Sequence, residues 1–171
     1  MDEQWKEVLS RFETVWQRVS GKETQEELPQ NPQIMATEEK QGPLIRMEQL
    51  MNTEASMRQW YGVAAVRAER RSGEALRRLA AECGKSLKLL QTEYFLMQGD
   101  TWVPRKQTVP AASLLDCLRR IYMEEQNLQE MYWAAANTEE TAVLRRLYGE
   151  LELRCAARMK TLHALVQRVL G

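Results

Sequence analysis

The chain has 171 residues, enough for one domain with at most a short extra segment. Lys and Arg number 24 and Asp and Glu number 24, so the formal net charge is zero, which argues against a general nucleic-acid-binding protein. Apolar residues make up 44% and charged residues 28%, a mixture typical of a globular chain. No apolar run approaches the roughly 20 residues that a membrane-spanning helix requires. The acidic start, MDEQWKEVLS, is unlike a signal peptide, and we therefore expect a cytoplasmic protein.

The cysteine and histidine content narrows the kinds of site that the chain can build. Cys83, Cys117 and Cys155 are too few and too scattered for a disulfide framework or a zinc ribbon. The chain has 1 histidine, His163, so a site with two histidine ligands cannot form within one chain.

The first 42 residues predict one helix and a linker. Residues 2–19 carry two tryptophans, a phenylalanine and four aliphatic side chains at helical spacing, which predicts an N-terminal amphipathic helix within residues 1–20. Its polar face has mixed charge, so docking on the rest of the chain or on a partner is favoured over binding to a membrane surface. Residues 21–42 are polar and contain Pro29 and Pro32, which indicates a linker.

The remaining residues, 43–171, predict an all-α fold. Between clusters of Gly and Pro the sequence is rich in Leu, Ala, Glu, Arg, Gln and Met, which favour helices. Four helices are predicted, at residues 44–70, 74–97, 114–136 and 139–170. Short breaks at Ser72-Gly73 and Asn137-Thr138 would make two antiparallel hairpins, with Ser113 capping the third helix and Thr138 the fourth. The longer connection, DTWVPRKQTVPA, would join the hairpins as a crossover, giving an antiparallel four-helix bundle.

The two hairpins carry matching polar residues on otherwise apolar faces. A glutamate followed seven positions later by a tyrosine occurs in the first helix as Glu54 and Tyr61, and again in the third as Glu125 and Tyr132. On the second and fourth helices the polar positions of the inward face are cysteines and one arginine, and these residues are Cys83, Cys155 and Arg158. This recurrence indicates an internal duplication.

At these positions the chain resembles the ferritin-like superfamily, specifically the rubrerythrin-like proteins of anaerobic bacteria, over about residues 44–170. In that family two helices each supply a Glu and two others each supply Glu-x-x-His, which together bind a di-iron or di-manganese centre. EASMRQWY (54–61) and EQNLQEMY (125–132) look like the two single-Glu helices, and LRRLAAECGKSLKLLQTEYFLMQGDTW (76–102) is similar to the second helix and the loop after it. The resemblance implies a ferritin-like bundle.

The ligand motifs depart from the family pattern. Where Glu-x-x-His is expected, the second helix has Cys83-Gly-Lys-Ser86 and the fourth has Cys155-Ala-Ala-Arg158. The resemblance therefore implies a diverged member that has lost its di-iron ligands.

Three interpretations of the inward polar residues remain open. In the first, Arg158 forms a buried ion pair with Glu54 or Glu125, because an inward carboxylate is better compensated by a neighbouring guanidinium than left alone. In the second, Glu54, Glu125, Cys83 and Cys155 converge as four ligands of one Zn²⁺ or Fe²⁺ ion. In the third they belong to a plain core, with the cysteines acting as small apolar side chains.

Two functions follow from these interpretations. The first is a non-catalytic binding or structural module without a cofactor, which we expect to form a homodimer and to bind neither nucleic acid nor a membrane. The alternative is a metal-binding or redox protein of the rubrerythrin type that uses Glu54, Glu125, Cys83 and Cys155. The absence of a histidine pair favours the module over an enzyme.

Overall fold

The structure, a computed structural model, describes residues 42–105, 108–110 and 112–170. The N-terminal helix predicted within residues 1–20 and the linker predicted at 21–42 lie outside this part, except for Gly42. The described residues form helices and no strands, which confirms the all-α prediction. The four helices are α1 (Pro43–Arg67), α2 (Arg70–Gln98), α3 (Leu114–Thr138) and α4 (Ala142–Leu170). None of them combines the length and the apolar character that crossing a bilayer requires.

Helices α1 and α2 form an antiparallel hairpin. At one end, the Tyr94 hydroxyl near the end of α2 donates to Oε1 of Glu48 near the start of α1, at 2.8 Å. At the other end, Gly73 in the first turn of α2 lies against the Ala65 backbone of α1. The start of α1 therefore lies beside the end of α2, and the end of α1 lies beside the start of α2, as in an antiparallel hairpin.

Helix α3 also runs antiparallel to α1, and this fixes the path of the connection between the hairpins. Arg46 at the start of α1 lies 3.9 Å from Glu139, the residue that caps the end of α3. Helix α3 therefore begins at the end of the bundle opposite to the one at which α2 finishes. Gln98 at the end of α2 and Leu114 at the start of α3 therefore lie at opposite ends of the bundle.

The turn between α1 and α2 lies earlier in the chain than the sequence prediction at Ser72-Gly73, which was wrong. Glu69 ends the turn by capping α2, where its carboxylate accepts from the backbone N–H of Ser72 at 3.1 Å and from the Ser72 hydroxyl at 2.9 Å. Gly73 is helical, and a Cβ atom there would lie 2.7 Å from the carbonyl oxygen of Ala65. This glycine therefore allows the close approach of two helices and makes no turn.

The turn between α3 and α4 also differs from the prediction. Asn137 and Thr138 belong to α3, because their side chains donate to the carbonyl groups of Trp133 and Ala134 one turn back. Thr138 is therefore not the cap of α4. The turn is instead organised by Glu139, whose carboxylate accepts from the backbone N–H of Thr141 at 3.1 Å. The predicted cap of α3 is confirmed, since the Ser113 hydroxyl accepts from the backbone N–H of Asp116 at 3.1 Å.

The core lies along the helix faces that the spacing predicts. Residues spaced three and four positions apart are buried from Met47 to Ala64 on α1 and from Leu118 to Ala135 on α3. On α2 the buried face ends before the last turn, where Met97 is 42% exposed. Among the buried residues are seven polar or charged side chains: Glu54, Ser72, Ser86, Glu125, Gln129, Glu139 and Arg158. Four of them meet at one place in the bundle.

Candidate functional site

Arg158 of α4 is the centre of a buried polar cluster, because its guanidinium reaches one residue from each of the other three helices. Its Nε donates to Oε1 of Glu125 at 2.7 Å and its Nη2 donates to Oε2 at 3.0 Å, which is a two-point contact with the carboxylate of α3. Nη2 also lies 3.3 Å from Oε1 of Glu54 on α1. Nη1 lies 3.4 Å from the Ser86 hydroxyl on α2.

Two tyrosines connect the hairpins in a crossed arrangement. Tyr61 of the first hairpin donates to Oε1 of Glu125 in the second, at 2.7 Å. Tyr132 of the second hairpin donates to Oε1 of Glu54 in the first, at 2.8 Å. Each glutamate therefore accepts a hydrogen bond from the tyrosine of the other hairpin, so that the duplicated sequence pair forms a duplicated contact.

Both buried thiols lie beside the carboxylates. Sγ of Cys155 lies 2.9 Å from Oε2 of Glu125 and 3.2 Å from the Glu125 carbonyl oxygen. The Cys83 thiol interacts with Glu54 and affects the pKa of its carboxyl. Even so, Oε2 of Glu54 has no hydrogen bond of ordinary geometry within the described residues. We name these residues the central cluster, and its eight members are Glu54, Tyr61, Cys83, Ser86, Glu125, Tyr132, Cys155 and Arg158.

The charges in the central cluster compensate one another in part. Burial by itself lowers the pKa of Arg158, but Glu125 and Glu54 outweigh it and hold this pKa well above its ordinary value, so the guanidinium stays charged. Burial raises the pKa of Glu54, and the nearby Arg158 offsets only part of that effect. One guanidinium between two ionised carboxylates leaves a net charge of −1, which a proton on one carboxyl would cancel.

Burial also determines the protonation state of the two thiols and the two phenols in the central cluster. It raises the pKa of Cys83 and of Cys155 well above the ordinary thiol value, and the neighbouring carboxylates add to this effect. The pKa values of Tyr61 and Tyr132 are raised well above normal for the same two reasons. Because a thiolate is the reactive and metal-binding form of cysteine, these neutral thiols are inert as they stand.

The two glutamates occupy matching positions but have unequal partners. Glu125 accepts from Arg158 twice, from Tyr61 and from Cys155. Glu54 accepts from Tyr132, has one longer contact with Arg158 and interacts with the Cys83 thiol, and its Oε2 has no hydrogen bond of ordinary geometry within the described residues. The inequality arises because only α4 carries an arginine at this level, whereas α2 has Ser86 at the corresponding position.

The structure brings together all five residues that the sequence singled out, Glu54, Glu125, Cys83, Cys155 and Arg158. The guanidinium pairs with both carboxylates, whereas the sequence prediction named one or the other. Tyr61 and Tyr132 were not predicted as hydrogen-bond donors to the carboxylates. The recurrence of Glu and Tyr seven positions apart in both hairpins was the signal that could have identified them.

Over the residues that the structure describes, fold and cluster together define an all-α arrangement of four helices with a buried guanidinium held between two carboxylates. Comparisons with protein-family models, curated proteins and solved structures gave no significant match. In the part of the chain that the structure describes, no three or more His, Cys, Asp and Glu side chains are grouped so as to hold a metal ion.

Proposed function

We propose that this chain is a diverged ferritin-like bundle of the rubrerythrin type in which the Arg158 guanidinium stands where the family binds its metals. In this proposal the protein acts as a non-catalytic binding or structural module. The observation that carries the proposal is the two-point contact of Arg158 with Glu125, together with its contact with Glu54. A fixed guanidinium supplies the positive charge that two inward carboxylates require, without a Lewis acid or a redox couple.

The path of the chain supports the ferritin-like assignment. Two antiparallel hairpins are joined between opposite ends of the bundle, and one long crossover of this kind distinguishes ferritin-like bundles from simple up-and-down bundles. The polar positions occur once in each hairpin and meet at one level, with Tyr61 and Tyr132 in equivalent roles. Such a pair of equivalent half-sites is expected of a duplicated scaffold that once held a symmetric centre.

Restoring the family motif tests this ancestry directly. The variant Cys83→Glu, Ser86→His, Cys155→Glu, Arg158→His recreates Glu-x-x-His on both α2 and α4. We expect it to bind a pair of Fe²⁺ or Mn²⁺ ions, because Glu54 and Glu125 already face the same space. Arg158→His alone is the matched control and should bind none. If the fourfold variant keeps its helical circular dichroism and cooperative melting but binds no metal, the ferritin-like proposal is wrong.

A second candidate is a metal-binding or redox protein that uses Glu54, Glu125, Cys83 and Cys155 as ligands. The observation that favours it is the position of both thiols beside the two carboxylates, with Oε2 of Glu54 lacking an ordinary hydrogen bond. Carboxylate oxygens and thiolate sulfurs are suitable ligands for one Zn²⁺ or Fe²⁺ ion. The charge of Arg158 beside both carboxylates opposes a cation, so we place this candidate second.

Elemental analysis of untagged protein, purified anaerobically and measured before and after exhaustive chelation, separates the two candidates. We expect no stoichiometric metal. About one Zn or Fe per chain that survives chelation would contradict the module proposal. In that case Cys83→Ala and Cys155→Ala should each lose the same metal, and Cys117→Ala, which changes a buried thiol on α3 outside the central cluster, should keep it.

We also propose that the protein forms a homodimer. Several large apolar side chains are exposed at the end of the bundle where α1 starts and α2 finishes, among them Ile45, Phe95 and Leu96. Sedimentation equilibrium over a wide concentration range tests the proposal. A species of one-chain mass at every concentration would contradict it.

A further inference from the structure

A second polar cluster lies at the end of the bundle where α1 starts. It takes Arg46 from α1, Glu93 from α2, Tyr148 from α4 and Glu139, the residue that caps α3, and we name it the end cluster. Arg46 lies 3.9 Å from Oε2 of Glu139, and Glu93, Glu139 and Arg46 all act electrostatically on the Tyr148 phenol. Arg46 precedes Glu54 by eight positions on α1, which places the two clusters about 12 Å apart along the bundle axis.

Two polar atoms of the end cluster are buried without a hydrogen-bond partner among the described residues. They are the hydroxyl of Tyr148, a residue that is 0% exposed, and Oε2 of Glu139, whose side chain is 4% exposed. The Arg46 contact does not satisfy Oε2, because 3.9 Å is an ion-pair distance beyond hydrogen-bond length. A buried carboxylate oxygen or hydroxyl without a partner is costly, so native proteins rarely leave one unsatisfied.

We propose that the end cluster binds one small hydrogen-bond donor, water or ammonium, between the Tyr148 hydroxyl and Oε2 of Glu139. The carboxylate oxygen can only accept, so the bound molecule must donate to it, while the hydroxyl can donate or accept. Both atoms are closed off from solvent, which favours a molecule as small as water or ammonium. The carboxylate oxygen of Glu139 suits a neutral or cationic donor and disfavours an anion.

Stability in solution provides the first test. If the bound molecule satisfies the hydroxyl, Tyr148→Phe removes a complete hydrogen bond, and the unfolding equilibrium constant should rise by about fivefold to tenfold. Tyr94→Phe is the control at the same end of the bundle, since its hydroxyl has a protein partner, Glu48, and lies near solvent. An unfolding constant that is unchanged or lower in Tyr148→Phe would overturn the proposal, because deleting an unsatisfied hydroxyl is neutral or stabilising.

A high-resolution crystal structure, grown without ammonium salts, provides the second test. We expect one ordered molecule within about 3.2 Å of both atoms. Direct contact of Tyr148 with Glu139, or an ordered molecule that Tyr148→Phe leaves at full occupancy, would overturn the proposal.

Melting in ammonium chloride and in sodium chloride at equal ionic strength distinguishes the two donors. If Tm rises saturably with ammonium chloride and this rise is lost in Tyr148→Phe, the bound molecule is ammonium. If Tm is the same in both salts and the crystal structure shows the ordered molecule, it is water.

Discussion

Tyr61 donates a hydrogen bond of 2.7 Å to Oε1 of Glu125, a residue in the other helical hairpin. The contact is repeated in reverse by Tyr132 and Glu54 at 2.8 Å. All four side chains are 0% exposed, so each hairpin completes the buried carboxylate of the other. This exchange makes the central cluster a connection between the two halves of the bundle.

The crossed tyrosines predict unequal effects of removing their hydroxyl groups. Tyr132→Phe leaves Glu54 with the longer contact to Arg158 and the Cys83 thiol, whereas Tyr61→Phe leaves Glu125 with both short arginine contacts. We expect Tyr132→Phe to lower the free energy of unfolding by about 2–3 kcal/mol and Tyr61→Phe by about 1 kcal/mol. Urea unfolding measures both changes. Equal losses would mean that the two carboxylates are equally well satisfied, against the geometry described above.

Removing Arg158 should have the largest effect in the central cluster. Arg158→Ala leaves two buried carboxylates facing each other and should lower the free energy of unfolding by about 3–5 kcal/mol. Arg158→Lys keeps the charge but loses the two-point contact, so we expect an intermediate loss. Arg154→Ala, one turn earlier in an ion pair with Glu150 near the surface, is the control and should change stability by less than about 0.5 kcal/mol. A change near zero for Arg158→Ala in urea unfolding would contradict a buried ion pair.

The sequence predicted the helices and most of the core because these depend on local periodicity. Apolar residues spaced three and four positions apart identify the buried faces of α1 and α3 without knowledge of the partner helix. The same spacing placed Glu54, Glu125 and Arg158 on inward faces at one level of the bundle. Local periodicity does not show which residues of different helices form hydrogen bonds with each other. For this reason the hydrogen bonds of Tyr61 and Tyr132 were missed.

The two turns show a different limit of the sequence. Ser72-Gly73 has the composition of a turn, but Gly73 is required for the approach of α2 to Ala65, a contact between helices. Glu139 was missed because a glutamate in a turn usually faces water, whereas here it is buried next to Arg46 and Tyr148. In both cases tertiary packing overrides the local preference of the residue.

The raised pKa of Glu54 predicts that stability depends on pH. Burial holds this pKa above the ordinary value of 4.5, so the folded protein binds the Glu54 proton more tightly than the unfolded chain does. The resulting stabilisation is complete below about pH 4.5, the unfolded value, and is lost as the pH rises through the folded pKa. Glu54→Gln mimics the protonated carboxyl and removes this contribution.

Urea unfolding of the wild type and of Glu54→Gln between pH 4.5 and pH 8 measures the effect. We expect the stability of the variant to improve relative to the wild type as the pH rises. Glu152→Gln is a useful comparison, because burial also raises the pKa of Glu152, but this residue lies outside the central cluster. Parallel pH profiles for wild type and Glu54→Gln would show that Glu54 titrates alike in the folded and unfolded states.

Substitution of glycines in three of the helices should change stability in opposite directions. A Cβ atom at Gly73 would lie 2.7 Å from a backbone oxygen that belongs to another helix and has little freedom to move, so Gly73→Ala should force α1 and α2 apart and destabilise the protein. Gly62 of α1 and Gly149 of α4 have no atom within 4 Å of such a Cβ and no positive φ angle. Gly62→Ala and Gly149→Ala should each stabilise by about 0.5–1 kcal/mol, because alanine restricts the unfolded chain and favours the helix. Thermal melting of the three variants checks this pattern, and a neutral Gly73→Ala would mean that α1 and α2 can move apart at this contact without loss of stability.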